Sequence, residues 1–267
     1  MQNRIDDCFA RLRTERRKGF IPYICAGDPS LARTVDLALA LETAGADILE
    51  LGVPFSDPLA DGIVNQLAAQ RALEAGASVQ GVLECVREIR RQSKIPIVLY
   101  TYMNPIFQFG FDTFHGEAET AGVDGLLILD LPPDEEIDFK SDTLFHIRLV
   151  APTTPKERLK RICAQARGFI YCVSREGVTG ARSDMASSLA ERVAQIRDVT
   201  SLPVAIGFGI SNVDQARKVA RLADAVVIGS AIVREIAEYG RSPDLPKRIV
   251  DLVRPLIAAV KTNSSVT

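Results

Sequence analysis

Two carboxylates in one stretch of the chain are its best candidates for chemistry. Glu50 lies near the carboxyl end of a short apolar run, and Asp61 follows in a loop rich in proline and aspartate. Because successive side chains of a strand face opposite sides, Glu50 points inward if Leu49 and Leu51 pack outward on helices. A buried carboxylate is costly unless it is paired or reactive. The pair therefore indicates proton transfer, although turn capping by Asp61 and a tyrosine hydroxyl bound to Glu50 would also account for it.

The composition excludes several classes of protein. The 267 residues are 47% hydrophobic and 25% charged, with a net charge of -2, so there is no basic field to attract nucleic acid or an anionic membrane. No apolar run is long enough to span a bilayer, and the first residues lack the apolar core of a signal peptide. We therefore expect a cytoplasmic protein that binds neither nucleic acid nor membrane.

Cysteine and histidine offer little material for a metal site or a nucleophile. The five cysteines form no C-x-x-C pair, so we predict buried thiols in a reducing compartment and no zinc or disulfide. We predict that His115 and His146, in segments typical of helix or loop, are structural or surface residues.

Eight short apolar runs alternate with segments of helical periodicity. They lie near 20–25, 47–52, 96–101, 124–129, 147–151, 168–173, 203–207 and 225–229. Such alternation is typical of a parallel sheet covered by helices. Eight units that close on themselves predict a TIM (β/α)8 barrel, a single domain over 1–267. An open doubly wound sheet is the alternative.

The helical segments carry recognisable starts. The predicted caps are Ser78, Thr154 followed by Pro155 at the first helical position, and Ser211. Extra helices are expected at 4–16, across the bottom of the barrel, and at 244–260. The tail 261–267 is expected to be disordered.

Glycines after the last two strands suggest a phosphate site. Active sites of such barrels form where the strands end, and loops after strands 7 and 8 often hold phosphate. The sequence supplies the runs 207–211 and 229–230 there, whose backbone N–H groups can approach an anion closely. Gly177 to Gly180 suit a mobile lid, although a long surface loop would explain these glycines equally well.

Aromatic and apolar residues two apart on a strand point the same way, and one set of them is expected to line the mouth of the barrel. Some of these residues are expected to be ordinary core residues instead. The candidates are Tyr100 and Tyr102, Leu127 and Leu129, Phe169 and Tyr171, with Phe20 and Phe208 in addition. A flat aromatic ligand with a phosphate tail would fit such walls.

The stretch 49–62, L-E-L-G-V-P-F-S-D-P-L-A-D-G, resembles the signature of the tryptophan synthase alpha subunit family. The resemblance extends in order over nearly the whole chain. Further matching segments are 26–29, 102–105, 130–132, 174–180, 207–210 and 227–231.

This resemblance implies a barrel that cleaves indole-3-glycerol phosphate to indole and glyceraldehyde 3-phosphate by a retro-aldol reaction, with no cofactor in this chain. Glu50 matches the general acid/base, Asp61 the carboxylate that binds the indole N–H, and Tyr171 the tyrosine that assists proton transfer. The matching phosphate contacts are Gly180, Gly209, Gly229 and Ser230. Thr179 matches the lid residue that bonds Asp61 in the closed state.

The resemblance also implies a partner. In this family the subunit docks on a pyridoxal-phosphate beta subunit in an α2β2 complex and passes indole to it through a tunnel. The loop 54–61 and the segment around Asn104 and Pro105 resemble the docking surface, and 177–188 resembles the closing element.

Several residues depart from the family pattern. Ile63 stands where proline is usual, Asn65 where an apolar residue faces the indole, and Leu129 where a small residue is common. The segment 133–146 is shorter than usual, which predicts a truncated helix. Two alternatives therefore remain at this point: a stand-alone indole-3-glycerol phosphate lyase, and a mainly regulatory subunit with weak turnover.

Overall fold

Strands and helices alternate along the whole chain. The computed structural model describes residues 3–132, 141–173, 182–207 and 209–262, with the backbone alone for 182–187. The strands are β1 (Gly19–Cys25), β2 (Leu49–Gly52), β3 (Ile97–Thr101), β4 (Gly125–Ile128), β5 (Phe145–Val150), β6 (Ile170–Val173), β7 (Val204–Gly207) and β8 (Ala225–Ile228). All eight predicted strands are present.

The helices of the described residues surround these strands. They are α1 (Arg4–Thr14), α2 (Leu31–Ala44), α3 (Ile63–Glu74), α4 (Val79–Arg90), α5 (Met103–Phe109), α6 (Phe111–Ala121), α7 (Lys156–Gln165), α8 (Arg182–Arg197), α9 (Val213–Ala220), α10 (Ser230–Tyr239) and α11 (Leu245–Lys261). None of them is both long and apolar enough to traverse a lipid bilayer.

The sheet closes on itself. Each strand pairs in parallel with the next, and β8 pairs with β1 through the register Phe20–Val226. The predicted TIM barrel is therefore confirmed and the open sheet is excluded. The two extra helices, α1 and α11, are also present. Helix α11 packs on α2 and α9 and extends through Lys261, the first residue of the predicted tail.

The side chains of each strand alternate between two buried layers. Leu49 and Leu51 of β2 belong to the layer between the strands and the helices, whereas Ile48 belongs to the layer that fills the barrel. Burying one such aliphatic side chain contributes roughly 1.5–3 kcal/mol. This alternation therefore fixes the register of β2 and the inward direction of Glu50.

Helix α1 closes the barrel at the amino-terminal ends of the strands. The rings of Phe9 and Phe169 lie 5.7 Å apart. Ile5 is fully buried and fills the space that side chains on Gly125 and Gly168 would need. Because this end is packed, a ligand reaches the interior from the carboxyl-terminal ends of the strands.

Three aspartates at the same end join neighbouring strands. Each side chain accepts a hydrogen bond from a backbone amide of the adjacent strand: Asp47 from Phe20, Asp124 from Ile97 and Asp224 from Val204. They also pair with basic side chains, as Asp124 does with Arg90 at 2.6 Å. We assign these contacts to stability, because they lie at the closed end of the barrel.

Two of the three predicted helix caps are displaced by one residue. Ser78 caps α4 as predicted, accepting the amide of Gly81. The cap of α7 is Pro155, because the hydroxyl of Thr154 instead accepts the amide of Ala151. The cap of α9 is Asn212, whose side chain accepts the backbone amide of Gln215, whereas the hydroxyl of Ser211 donates to the Gln215 side chain. In both cases the hydroxyl of the predicted cap residue bonds a group other than a free amide of the helix.

The cysteines and histidines take structural positions. All five cysteines are buried free thiols, as predicted. His115 lies on α6, but His146 lies within β5 and not in a helix or loop. Their Nε2 atoms are 3.2 Å apart. Burial, and after it the charges of His115 and Arg148, lower the pKa of His146 to about 3. The imidazole of His146 is therefore neutral, as expected for a ring packed between β5 and the outer helices.

Candidate active site

Strand β2 places Glu50 inside the barrel, as the sequence predicts. Only 3% of the residue is exposed, and its carboxyl group makes no hydrogen bond or ion pair with the described residues. Burial, and after it the charge of Asp61, raises the pKa of Glu50 to about 8. Since a buried carboxylate loses its hydration, Glu50 retains a proton at neutral pH. It is therefore suited to act as a proton donor.

Asp61 is held at the mouth of the barrel by hydrogen bonds from two tyrosines. Tyr100 donates to Oδ1 and Tyr102 to Oδ2, each at 2.7 Å. The side-chain nitrogen of Asn65, Nδ2, lies 3.3 Å from Oδ1 of Asp61. Hydrogen bonds to a charged acceptor contribute about 1.5–3 kcal/mol each. The carboxylate is therefore fixed in one orientation before any ligand binds.

Tyr171 completes the inner part of the site from β6. Its hydroxyl rests against Gly207 of β7, where even a methyl group would overlap it. Burial first, and the charges of Glu50 and Asp61 next, raise the pKa of Tyr171 well above its ordinary value. Tyr171 therefore remains a neutral hydroxyl near the two carboxylates and can exchange hydrogen bonds with them.

The remaining wall residues divide between the mouth and the core. Leu127 is fully buried in the interior layer, and Leu129, one residue beyond β4, is partly buried against that layer. Phe169 shares the inward parity but contacts α1 at the closed end, so it is core.

The prediction for Phe20 is wrong. The residue is fully buried near the start of β1, in the layer between strands and helices, and its amide binds Asp47. Its parity is opposite to that of the inward residues of β1, so it does not reach the mouth.

Tyr23 is an interior residue that the sequence analysis missed. It is in register with Glu50, its ring meets that of Tyr100 edge-on with centroids 5.0 Å apart, and its hydroxyl packs on Gly52. Ile21, Tyr23 and Cys25 alternate along β1 and face the same side. The sequence pattern would identify Tyr23 only if it also showed that this side faces the interior. It is a packing neighbour of Tyr100.

Glycines and a helix start form the rim after β7 and β8. Gly209 has a φ of +75°, a conformation that side-chain-bearing residues rarely adopt. Gly229 precedes α10, and Ser230 is its first residue, with no side-chain cap on this terminus. Free amide N–H groups and the helix dipole favour an anion at such a position. Because β7 and β8 are neighbours, both loops open on the same side of the mouth.

Part of the predicted site lies outside the described residues. This applies to Thr179, Gly180 and Phe208 and to the lid around 177–180. Of the segment 133–146, where a truncated helix is predicted, residues 133–140 are also outside them. Within the described part of the chain, no three metal-binding side chains cluster together.

A closed barrel with the buried carboxyl group of Glu50 and the anchored carboxylate of Asp61 at its open end has the architecture of a TIM-barrel enzyme. The model of one family, described as the tryptophan synthase alpha chain, matches residues 9–259. The chain therefore belongs to the tryptophan synthase alpha chain family, which acts in tryptophan biosynthesis.

Individual relatives agree with this assignment. The chain is 49% identical to the tryptophan synthase alpha chain of Opitutus terrae, over 97% of this chain and 99% of that one. The crystal structure of tryptophan synthase subunit alpha from Legionella pneumophila superposes with a TM-score of 0.89 at 37% identity, covering 97% and 99% of the two chains. A chain from the tryptophan synthase α2β2 complex of Pyrococcus furiosus gives 0.83 at 38% identity, covering 91% and 99%.

Proposed function

We propose that this chain cleaves indole-3-glycerol phosphate to indole and glyceraldehyde 3-phosphate. The observation that carries the proposal is the pairing of a protonated, buried Glu50 with a firmly held Asp61 at the open end of the barrel. Family membership supports it, because tryptophan is built from an indole ring.

The cleavage requires the indole ring to become an electron acceptor. A proton added to C3 makes the ring a cationic indoleninium. Loss of the proton from the adjacent glycerol hydroxyl then drives cleavage of the bond between C3 and the glycerol carbon. The bonding electrons return to the ring and release indole, and the glycerol carbon becomes the aldehyde of glyceraldehyde 3-phosphate. Both proton transfers need a group that can serve as acid and base.

The described residues suit these roles. Glu50 delivers the proton to C3 and, as a carboxylate, takes the proton of the glycerol hydroxyl. Asp61 accepts a hydrogen bond from the indole N–H and stabilises the positive charge that develops on the ring. Tyr171, whose titration responds to the charge of Glu50, assists this exchange.

The phosphate of the substrate would bind at the rim. Gly209, Gly229 and Ser230 present backbone N–H groups there, and the resemblance adds Gly180. Because the phosphate is held at β7 and β8, the indole would extend across the mouth toward Glu50 and Asp61 on the β2 side. Leu127 and Leu129 would then form part of its apolar wall.

We also propose that the chain docks on a tryptophan synthase beta subunit. Three large apolar side chains are exposed on elements that follow β2 and β3 at the mouth: Leu59 by 92%, Ile63 by 65% and Phe107 by 71%. The loop of Leu59 is joined to the start of α5, because the Ala60 amide donates to the Tyr102 hydroxyl at 3.1 Å. Such exposed apolar residues beside an active-site mouth are typical of a protein interface.

The partner would hold the pyridoxal phosphate and join indole to serine, so no step in this chain needs a cofactor. The P. furiosus homologue is described as an α2β2 complex with mutual activation, which supports the same assembly here. We expect the complex to act in the cytoplasm, where the five free thiols would stay reduced.

The test is turnover of indole-3-glycerol phosphate by the purified chain, alone and with a beta subunit. We expect cleavage that rises about tenfold or more with the partner, within the usual range of coupling between sites. High turnover without the partner and no further rise would identify a stand-alone lyase. Activation of the partner without cleavage would identify a regulatory subunit and refute the proposed reaction.

Docking is tested separately with Phe107→Ser. We expect the beta-subunit concentration for half-maximal activation to rise about tenfold, since exposed aromatic anchors often carry much of an interface's free energy. Turnover of the isolated chain should not change. The matched control is Leu73→Ser, also exposed but at the far end of α3, where we expect no change in activation. Equal effects of both substitutions would contradict this docking surface.

A further inference from the structure

We propose that Tyr100 is a positioning residue that fixes the Asp61 carboxylate so that Oδ2 alone receives the substrate's N–H. This inference rests on the proposed function and deepens it. It assigns a role to a buried tyrosine that would otherwise count as part of the apolar wall.

The assignment follows from counting acceptor sites on Asp61. A carboxylate offers about four lone-pair sites, two on each oxygen. Oδ1 accepts from Tyr100 at 2.7 Å and from Asn65 at 3.3 Å, so both of its sites are used. Oδ2 accepts only from Tyr102 among the described residues, at 2.7 Å. With respect to the described residues, one site therefore remains, and it lies on Oδ2.

The Tyr100 hydroxyl is committed to this task. The residue is 4% exposed, and its hydroxyl donates its only proton to Asp61. Burial, and next the charge of Asp61, raises the pKa of Tyr100 well above its ordinary value. The hydroxyl therefore stays protonated and remains a donor to Asp61 over the whole working range of pH.

Asn65 supports the same orientation at a cost to itself. Its Nδ2 faces Asp61, while its own Oδ1 is buried and has no hydrogen-bond partner in the described structure. Rotating the amide would turn Oδ1 toward the negative carboxylate, which is unfavourable. The amide is therefore held by Asp61, and this explains how a polar residue is accommodated at a position expected to face the indole.

The chemistry makes this orientation matter in the transition state. Positive charge appears on the indole nitrogen only as C3 takes up its proton. A carboxylate oxygen already aimed at the N–H gains interaction energy at that moment without reorganising. Loss of Tyr100 should therefore affect the chemical step more than binding of the ground state.

The experiment compares kcat and KM for indole-3-glycerol phosphate in the complex with the beta subunit. Tyr100→Phe keeps the ring and removes the hydroxyl. We expect kcat to fall about 10- to 100-fold, the usual effect of losing a hydrogen bond to a charged group, with KM within about threefold. Asn65→Ala, whose bond is longer, should lower kcat by a smaller factor.

Tyr23→Phe is the matched control, because it removes a buried hydroxyl from the same interior layer without touching Asp61. We expect its kcat to fall by less than about threefold. A fall confined to kcat and to Tyr100→Phe supports the inference. A rise in KM with kcat unchanged, an equal loss in Tyr23→Phe, or no loss in Tyr100→Phe overturns it. Failure of the proposed function is a different result, since the unmodified chain would then not cleave the substrate at all.

Discussion

Replacing Glu50 by glutamine should make the stability of the folded chain less sensitive to alkaline pH. Burial and the charge of Asp61 raise the pKa of Glu50 from 4.5 to about 8 in the folded state. Its contribution to stability is therefore fully present below about pH 4.5 and is lost as the pH rises through about 8. The unfolded chain releases this proton at a much lower pH than the folded chain does.

The size of this effect on the free energy of unfolding follows from the shift in the pKa of Glu50. At 1.36 kcal/mol per pKa unit, the rise to about 8 corresponds to about 5 kcal/mol, as an order of magnitude. Glutamine cannot ionise, so Glu50→Gln removes this dependence. We expect the stability of the wild type relative to Glu50→Gln to fall by several kcal/mol between about pH 5 and about pH 9. A protein stabilised by only about 5–15 kcal/mol would show this clearly.

The assay is urea unfolding of both proteins at a series of pH values. Glu191→Gln is the matched control for the loss of a carboxyl group, because Glu191 is exposed on α8. A wild-type to Glu50→Gln difference that varies by less than about 1 kcal/mol over this range would refute the reasoning. Glu50 would then ionise as readily in the folded chain as in water.

Three further predictions concern the pH profile, a glycine contact and a buried ion pair. First, kcat/KM for cleavage should be level below about pH 8 and fall about tenfold per pH unit above it, because Glu50 must carry a proton at the start; a level profile up to about pH 10 would contradict this. Second, Gly207→Ala should displace the Tyr171 hydroxyl, which a methyl group would overlap, and lower kcat; unchanged kinetics would show that the position of Tyr171 is unimportant. Third, Arg71→Ala should destabilise the fold by about 3–5 kcal/mol in urea unfolding. The substitution leaves the carboxylate of Asp28, which is 1% exposed, without the hydrogen bonds that Arg71 donates at 3.0 and 2.7 Å. A loss of stability under about 1 kcal/mol would mean that the carboxylate finds another partner.

The strand pattern and the two carboxylates were predictable because each follows from a local rule. Alternation along β2 required Glu50 to face inward once Leu49 and Leu51 faced the helices, and this needed no knowledge of distant residues. The closed barrel also followed from the count of eight units. Residues near the start of a strand were harder, as Phe20 shows, because parity alone does not say which face is inward.

The hydrogen bonds around Asp61 were not predictable from the sequence. Tyr100 and Tyr102 come from the end of β3, about forty residues away along the chain, and meet Asp61 only because β2 and β3 are neighbours in register. Asn65 was recognised as a departure from the family pattern, but its contact with Asp61 depends on the start of α3. Such contacts are set by tertiary structure, which no local pattern encodes.

The central claim is that Glu50 donates the proton that begins the cleavage. The most direct measurement is cleavage of indole-3-glycerol phosphate by Glu50→Gln in the complex with the beta subunit, together with binding of an unreactive indole alkyl phosphate. We predict that kcat falls by a factor of about 10² to 10⁴ or more, while the Kd of the analogue stays within about threefold. A Glu50→Gln protein that keeps more than about a tenth of wild-type kcat would contradict the account, because another group would then supply the proton.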